Sequence, residues 1–163
     1  MFLKADFVLE NVLNIDLEEM KKRGVKGFVF DLDNTLMAPN TGVFREDIKA
    51  WLDILMQEFK VAIVSNNPIP SYEKKVREVV DIPIYFKAGK PRRKFVKQAL
   101  KELGILPKEA AMVGDRPLTD IWVGQRLHMV TILVDPLRKH HEHQVIKFLR
   151  SLERSFVKNA GPY

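Results

Sequence analysis

The chain has 163 residues, of which 46% are hydrophobic and 29% are charged, a composition typical of one globular domain and unlike that of a disordered or fibrous protein. The 27 basic and 21 acidic residues give a net charge of +6, which favours anionic partners such as phosphate groups, nucleic acid or anionic lipid. Cysteine is absent, which excludes disulfide scaffolds, thiolate zinc sites and cysteine nucleophiles.

The sequence carries no pattern typical of export or of a membrane-spanning helix. No apolar run approaches the roughly 18 residues that such a helix needs. Lys4, Asp6 and Glu10 interrupt any signal-peptide core. These observations predict a cytoplasmic protein, and they leave open peripheral contact with the cytosolic face of a membrane.

The first predicted element is a helix over residues 16–23, with Asp16 as its N-cap and Gly24 as its stop. Four apolar, β-branched runs then follow along the chain. They do not alternate with polar residues, as expected of strands that are buried on both faces of a parallel sheet. These runs span residues 27–31, 61–65, 110–114 and 129–134, and a weaker fifth run spans residues 84–86.

Helical patterns separate the predicted strands. Apolar residues recur at helical spacing over 44–59. A second pattern, over 91–103, begins with Pro91 and stops at Gly104. The alternation of strands and helices predicts an α/β domain with right-handed crossovers. We expect residues 1–163 to form a single domain, with a core over about 25–135 and helical additions at both termini.

The C-terminal segment has the pattern of an amphipathic helix with a basic flank. One interpretation is a helix docked on the core with a solvated basic face; the other is a helix lying on an anionic membrane. Three nearby histidines are interpreted as solvated rather than as a metal site. The apolar stripe comprises Val145, Leu149, Leu152 and Phe156, the basic flank Lys147, Arg150, Arg154 and Lys158, and the histidines are His140, His141 and His143.

Polar side chains stand directly after the predicted strands, where an open parallel sheet binds its ligands. Taken singly, each group is typical of a turn or a helix cap. Their convergence at one edge of the sheet favours a functional site instead. The groups are Asp31 and Asp33, then Ser65 and Asn66, then Lys90, and finally Asp115 and Asp120.

These residue types suit phosphoryl transfer. Clustered carboxylates repel one another unless a cation lies between them, and hard oxygen ligands select Mg²⁺. Ser65 and Lys90 would supply a hydrogen-bond donor and a positive charge that stabilise the phosphoryl group during its transfer. Magnesium, a carboxylate nucleophile and a lysine together indicate a reaction through an aspartyl-phosphate.

Four ordered sequence stretches resemble the motifs of the haloacid dehalogenase-like (HAD) phosphohydrolases, over residues 25–135. They are Asp31-Leu32-Asp33-Asn34-Thr35-Leu36, Ser65-Asn66-Asn67, Lys90-Pro91 and Gly114-Asp115 with Asp120. The resemblance implies a Rossmann-like three-layer sandwich with a mostly parallel sheet, and it implies dependence on Mg²⁺.

The resemblance also implies a role for each motif residue. Asp31 would be the nucleophile, and Asp33 would protonate the leaving group and later activate water. The phosphoryl group would be bound by Ser65, Asn66 and Lys90. The metal ligands would be Asp31, the backbone carbonyl of Asp33 and Asp115, with Asp120 and Thr35 in support.

The motif spacing leaves no room for a separate cap domain. Only 29 residues lie between Thr35 and Ser65, and 24 lie between Ser65 and Lys90. An open site suits a large substrate or one presented on a surface. More closely, the chain is similar to the capless YqeG-like group, which includes phosphatidylglycerophosphate phosphatases. That similarity rests on residues 25–36, 63–67 and 114–120, where Arg116-Pro117 depart from the small or polar residues usual in the group.

The leading hypothesis is therefore a Mg²⁺-dependent phosphatase for phosphatidylglycerophosphate. A run of cations around Lys90 agrees with an anionic lipid surface, although a solvated helix face explains the same run. A phosphatase for a nucleic-acid end or a phosphosugar is the first alternative. A non-catalytic nucleic-acid or ribosome-binding module is disfavoured, because no basic platform with aromatic residues is visible. The cations are Lys87, Lys90, Arg92, Arg93, Lys94 and Lys97.

Overall fold

The structure is a computed structural model that describes residues 3–137 and 157–158. Its strands are β1 (Leu3–Lys4), β2 (Phe7–Leu9), β3 (Gly27–Phe30), β4 (Lys60–Val64), β5 (Ile84–Tyr85), β6 (Ala110–Gly114), β7 (Val130–Val134) and β8 (Val157–Lys158). Its helices are α1 (Leu17–Lys22), α2 (Glu46–Leu55), α3 (Pro70–Val79), α4 (Lys94–Leu103) and α5 (Trp122–Arg126). Short 3₁₀ turns cover Val12–Asn14 and Pro107–Glu109, and a wide π-type turn covers Pro117–Ile121.

Six of these strands form a central sheet in the order β2-β7-β6-β3-β4-β5, and every neighbouring pair is parallel. Successive side chains of β3 point to opposite faces, as the strand period requires. Phe28 and Phe30 lie in the core cluster that also holds buried residues of α1, α2 and α3. Val29 lies in the cluster formed with α4 and α5. The prediction of a three-layer α/β sandwich is confirmed, and no separate cap domain interrupts residues 3–137.

The five predicted strands are confirmed to within one residue at each end, but the sequence analysis missed β2. This strand lies at the edge of the sheet beside β7, with Phe7 opposite Ile132. The Asp6 carboxylate anchors it by accepting from the backbone N–H of Thr131 at 2.8 Å. A three-residue strand is too short to show a pattern. The N-terminal segment is therefore part of the sheet and not only a helical addition.

The helix predictions are confirmed in place and corrected at their ends. In α1 the Asp16 carboxylate accepts from the backbone N–H of Glu19 at 3.1 Å, as a cap should. The helix predicted over 44–59 is wrong at both ends, because Phe44 pairs with Met37 in a β-bridge and residues 56–59 turn into β4.

The helix predicted over 91–103 begins instead at Lys94. A turn occupies the preceding residues, with the backbone N–H of Arg92 donating to the carbonyl of Gly89 at 3.0 Å. The predicted stop is confirmed, since Gly104 adopts φ +69° at the end of α4.

Most of the C-terminal prediction lies outside the described residues, including the three histidines and the apolar stripe. Lys158 is an exception, because β8 pairs in parallel with β1 and places Lys158 opposite Lys4. The prediction of a helix at that residue is therefore wrong, and main-chain pairing with β1 explains the extended backbone. Within the described part of the chain, no helix combines the length and hydropathy that crossing a bilayer requires.

Candidate active site

The polar residues predicted from the sequence do meet at one edge of the sheet. Asp31 follows β3, Ser65 follows β4 and Asp115 follows β6, each as the first residue after its strand. Lys90 lies in the loop between β5 and α4. Because all six strands are parallel, their carboxyl ends lie on the same side and bring these loops together.

A buried lysine stands at the centre of this edge. The Nζ atom of Lys90 lies 2.8 Å from Oδ1 of Asp31 and 2.7 Å from Oδ1 of Asp120, and only 1% of the lysine side chain is exposed. Burial alone would lower the pKa of Lys90, but attraction to Asp120 and Asp31 outweighs burial and raises that pKa. Lys90 is therefore a fixed positive charge.

Asn66 holds the backbone of that lysine. Its amide group donates to the carbonyl of Lys90 at 3.1 Å and accepts from the backbone N–H of Lys90 at 2.8 Å. These two bonds join the β4 loop to the loop before α4. The side-chain contacts of Asn66 thus position Lys90, while its predicted contact with phosphate stays a prediction.

The chemistry of the donor set fits a hard divalent cation. Carboxylate oxygens of Asp31, Asp115 and Asp120 all lie within 4.8 Å of one another. Three carboxylates against the one ammonium of Lys90 leave two negative charges, which a divalent cation would balance, and hard oxygen ligands suit Mg²⁺. Burial, opposed by Lys90 and assisted by the nearby charge of Asp31, leaves the pKa of Asp120 raised to about 6.

The Asp120 carboxylate is bonded to two other groups of the protein. One carboxylate oxygen accepts from Lys90, and the other accepts from the backbone N–H of Arg116 at 3.1 Å. Both oxygens are thus engaged by the protein, and the supporting role expected for Asp120 stays a prediction. Thr35 is fully buried, and its hydroxyl is one of two buried side-chain oxygens in residues 3–137 that lack a hydrogen-bond partner.

Gly114 makes room for the Asp120 carboxylate. A Cβ atom at this glycine would overlap that carboxylate, which packs directly against the Gly114 backbone. We expect Gly114→Ala to displace Asp120 and, through it, Lys90. Since a displacement of about 1 Å at a catalytic group costs about 10²-fold, kcat/KM for p-nitrophenyl phosphate should fall by about that factor.

Gly124→Ala is a matched control for this prediction. Its Cβ would lie 2.7 Å from the Thr131 side chain, so it also crowds the core but does so outside the carboxylate cluster. Both variants should melt at a lower temperature, and only Gly114→Ala should lose activity per folded molecule. Wild-type kcat/KM in folded Gly114→Ala would contradict the prediction.

Ser65 is buried to 1% exposure, and its hydroxyl oxygen accepts from the backbone N–H of Asn67 at 3.1 Å. That bond uses the oxygen as an acceptor and leaves the O–H to donate. A phosphoryl oxygen is an acceptor of the required type. The observed contact therefore suits the predicted role of Ser65 in phosphate binding.

Two residues at the site were not assigned a role by the sequence analysis. The Tyr72 hydroxyl donates to Oδ1 of Asp33 at 2.6 Å, and the Asn67 amide donates to Oδ2 of Asp33 at 2.9 Å. The sequence does carry a signal for Asn67, because it stands two residues after Ser65 in the polar stretch that follows β4. Tyr72 has none, because an aromatic residue on a helix is usually part of the core.

Comparison with known proteins agrees with this geometry. A family model described as haloacid dehalogenase-like hydrolase matches residues 38–128. The Bacillus subtilis protein named "Probable phosphatase YqeG" is 34% identical over 160 residues, which cover 96% of this chain and 90% of that protein.

A plant relative and a solved structure extend the comparison. The Arabidopsis thaliana protein named "Phosphatidylglycerophosphate phosphatase 1, chloroplastic/mitochondrial" is 31% identical over 96% of this chain, which spans 48% of that protein. The crystal structure of an uncharacterized protein from Listeria monocytogenes shares the fold at 24% identity with a TM-score of 0.58, covering 73% of this chain and 85% of that one. This chain therefore belongs to the haloacid dehalogenase-like hydrolase family, as a phosphatase.

Proposed function

We propose that the chain is a Mg²⁺-dependent phosphomonoesterase that acts through an aspartyl-phosphate on Asp31, with phosphatidylglycerophosphate as its substrate. One observation carries the mechanism: buried Lys90 bridges Asp31 and Asp120 beside a third carboxylate, Asp115. An ammonium and a cation-binding carboxylate cluster at one point are the parts that phosphoryl transfer needs.

The bonds in the proposed reaction change in two steps. A carboxylate oxygen of Asp31 attacks phosphorus, the ester P–O bond breaks, and Asp33 gives its proton to the departing alcohol oxygen. Water then attacks the phosphorus of the aspartyl-phosphate, and its proton passes to Asp33. The bond between phosphorus and Asp31 breaks, which releases inorganic phosphate and restores the carboxylate.

Lys90 and Ser65 would bind the phosphoryl oxygens throughout this reaction. Asp31, the backbone carbonyl of Asp33 and Asp115 would hold Mg²⁺, which when bound neutralises charge between the carboxylates and the phosphoryl group. Lys90 also keeps the Asp31 oxygen that it contacts at a fixed place, 2.8 Å from its Nζ. The attacking carboxylate is thus oriented before substrate arrives.

Two features of the described surface support a lipid substrate. No cap domain covers the site within residues 3–137, so a phosphate group held at a membrane surface can reach it. Large apolar side chains are exposed in the segments that follow the carboxyl ends of three strands: Val43 at 63% between β3 and α2, Ile69 at 43% between β4 and α3, and Leu118 at 37% in the turn after β6. Side chains of this kind enter the headgroup region of a bilayer.

The positive charge around Lys90 also supports a lipid substrate. Lys87, Arg92 and Arg93 are exposed around the buried Lys90, and basic groups close to an anionic bilayer contribute about 1 kcal/mol each to binding. The relative named as a phosphatidylglycerophosphate phosphatase, and the similarity to it over 96% of this chain, add support. We propose that the protein acts peripherally, at the cytosolic face of a membrane.

Replacing the three exposed apolar residues should separate membrane contact from chemistry. For the combined variant Val43→Ser, Ile69→Ser and Leu118→Ser, we expect about tenfold slower phosphate release from lipid vesicles, because about 1 kcal/mol of burial or more is lost at the interface. Turnover of p-nitrophenyl phosphate should not change. The control is Ile54→Ser with Leu106→Ser. Both residues are also exposed, but Ile54 lies in the last turn of α2 and Leu106 lies between α4 and β6, away from the carboxyl ends of the strands. Equal rates on vesicles for all proteins would contradict the membrane role of these loops.

The substrate is tested by phosphate release with Mg²⁺ present. Phosphatidylglycerophosphate in mixed micelles is compared with its deacylated head group, a phosphosugar and an oligonucleotide with a terminal phosphate. We expect the lipid to be hydrolysed fastest and the deacylated head group to be a poor substrate. Faster hydrolysis of the phosphosugar or the oligonucleotide would support the phosphatase activity but contradict the proposed lipid substrate. No release from any ester by the folded protein would overturn the proposed function.

A further inference from the structure

Both carboxylate oxygens of Asp33 are held by side chains from the segment that links β4 to α3 and begins α3. The Tyr72 hydroxyl bonds to Oδ1, and the Asn67 amide bonds to Oδ2. Two donors on the two oxygens fix the plane of the carboxylate as well as its position. Each oxygen keeps a second lone pair, and that lone pair can carry the proton that Asp33 transfers.

Tyr72 is a rigid donor. It lies in the first turn of α3 at 5% exposure, and its ring packs edge-on against Phe86, with centroids 6.5 Å apart and an interplanar angle of 87°. Burial raises the pKa of Tyr72, and the hydrogen bond to Asp33 raises it further. The hydroxyl lies 2.6 Å from Oδ1 and is the donor in this contact, because a carboxylate oxygen can only accept.

Asn67 is held just as firmly. The side-chain oxygen of Asn67 accepts from the backbone N–H of Ile69 at 3.0 Å. The backbone N–H of Asn67 donates to the hydroxyl oxygen of Ser65 at 3.1 Å. The same amide nitrogen that bonds to Asp33 also donates to Oδ1 of Asn40 at 3.1 Å. Asn67 therefore ties the carboxylate to the phosphate-binding serine and to the loop before α2.

We propose that Tyr72 and Asn67 are positioning residues that aim the Asp33 carboxyl at the oxygen of the leaving group. The inference rests on the proposed role of Asp33 as the acid. The Asp33 backbone pairs with Met37 in a β-bridge after β3, but this pairing leaves the side chain free to rotate, so a carboxyl without partners would adopt several orientations. Proton transfer requires heavy atoms within about 3 Å of each other, so rotation away from the leaving group slows the transfer.

Tyr72→Phe tests this role with little disturbance, because the ring stays and only the hydroxyl is lost. The matched control is Tyr85→Phe, which removes a tyrosine hydroxyl that bonds to Glu102 and has no contact with Asp33. Asn67→Ala serves as a second variant and removes the other donor to Asp33. Thermal melting establishes that each protein is folded.

The readout is kcat/KM for two soluble esters, which avoids any dependence on lipid. The alcohol of glycerol 3-phosphate is a poor leaving group and needs a proton, whereas p-nitrophenolate leaves without one. For Tyr72→Phe we expect about a tenfold loss on glycerol 3-phosphate and almost none on p-nitrophenyl phosphate. Asn67→Ala should show the same preference, and Tyr85→Phe should match the wild type on both esters.

Asp33→Asn separates failure of this inference from failure of the proposed function. If Asp33→Asn loses activity mainly on glycerol 3-phosphate while Tyr72→Phe and Asn67→Ala lose nothing, or lose equally on both esters, the positioning role is overturned and the function stands. If Asp33→Asn shows no preference between the esters, its role as the acid fails, and the positioning role fails with it.

Discussion

Replacement of Lys90 by methionine is expected to lower the free energy of unfolding by about 3–5 kcal/mol, because it leaves the buried Asp120 carboxylate without its partner. Methionine matches the length of the aliphatic part of lysine, so the loss reflects charge more than packing. Asp120 would then lie at 1% side-chain exposure with no cation beside it. Urea denaturation in Mg²⁺-free buffer measures the change.

Two further variants make this prediction specific. Lys60→Met removes an exposed lysine that donates to the carbonyl of Leu103 at 2.7 Å, and it should cost about 1 kcal/mol or less. Adding Asp120→Asn to Lys90→Met removes one of the uncompensated charges and should restore part of the stability. A Lys90→Met protein as stable as the Lys60→Met protein would show that the buried ammonium does not balance this cluster.

Asp31→Asn is expected to abolish phosphatase turnover, by at least about 10³-fold, while the protein stays folded. The amide that replaces the carboxylate is a far weaker nucleophile, and it also removes one charge from the proposed metal site. The fold should persist because Lys90 keeps its contact with Asp120, 2.7 Å away. Phosphate release from p-nitrophenyl phosphate with Mg²⁺ present measures the loss.

Asp47→Asn is the control for the nucleophile. This aspartate pairs with Arg45 on the surface at 2.7 Å and lies outside the site, so turnover should match that of the wild type. Residual activity of Asp31→Asn within tenfold of the wild type would require another group as the nucleophile.

Much of the site could be predicted because its residues follow strands that the sequence marks clearly. Continuous apolar runs identified β3, β4 and β6, and parallel pairing then placed Asp31, Ser65 and Asp115 at one edge. Lys90 was harder, since it follows a two-residue edge strand. Its position after that weak run placed it at the same edge, and the motif resemblance then gave it a role.

The remainder depends on contacts between distant segments, which leave no periodic signal. Tyr72 reaches Asp33 across 39 positions of sequence, and in the sequence it is indistinguishable from a core aromatic residue. The resemblance implied a phosphate contact for Asn66, which stays a prediction; its two side-chain bonds to the Lys90 backbone had no signal in the sequence. The strand β2 forms because Phe7 and Leu9 can extend the sheet beside β7, a partner more than 120 residues away.

The covalent step can be observed directly by mixing the protein with Mg²⁺ and ³²P-labelled phosphomonoester, followed by rapid quenching in acid. If Asp31 is the nucleophile, label should appear on the protein within one turnover, disappear as phosphate is released, and map to the peptide that contains Asp31. Asp31→Asn protein should remain unlabelled. Rapid phosphate release with no protein-bound label under these conditions, or label on a peptide without Asp31, would contradict an aspartyl-phosphate on this residue.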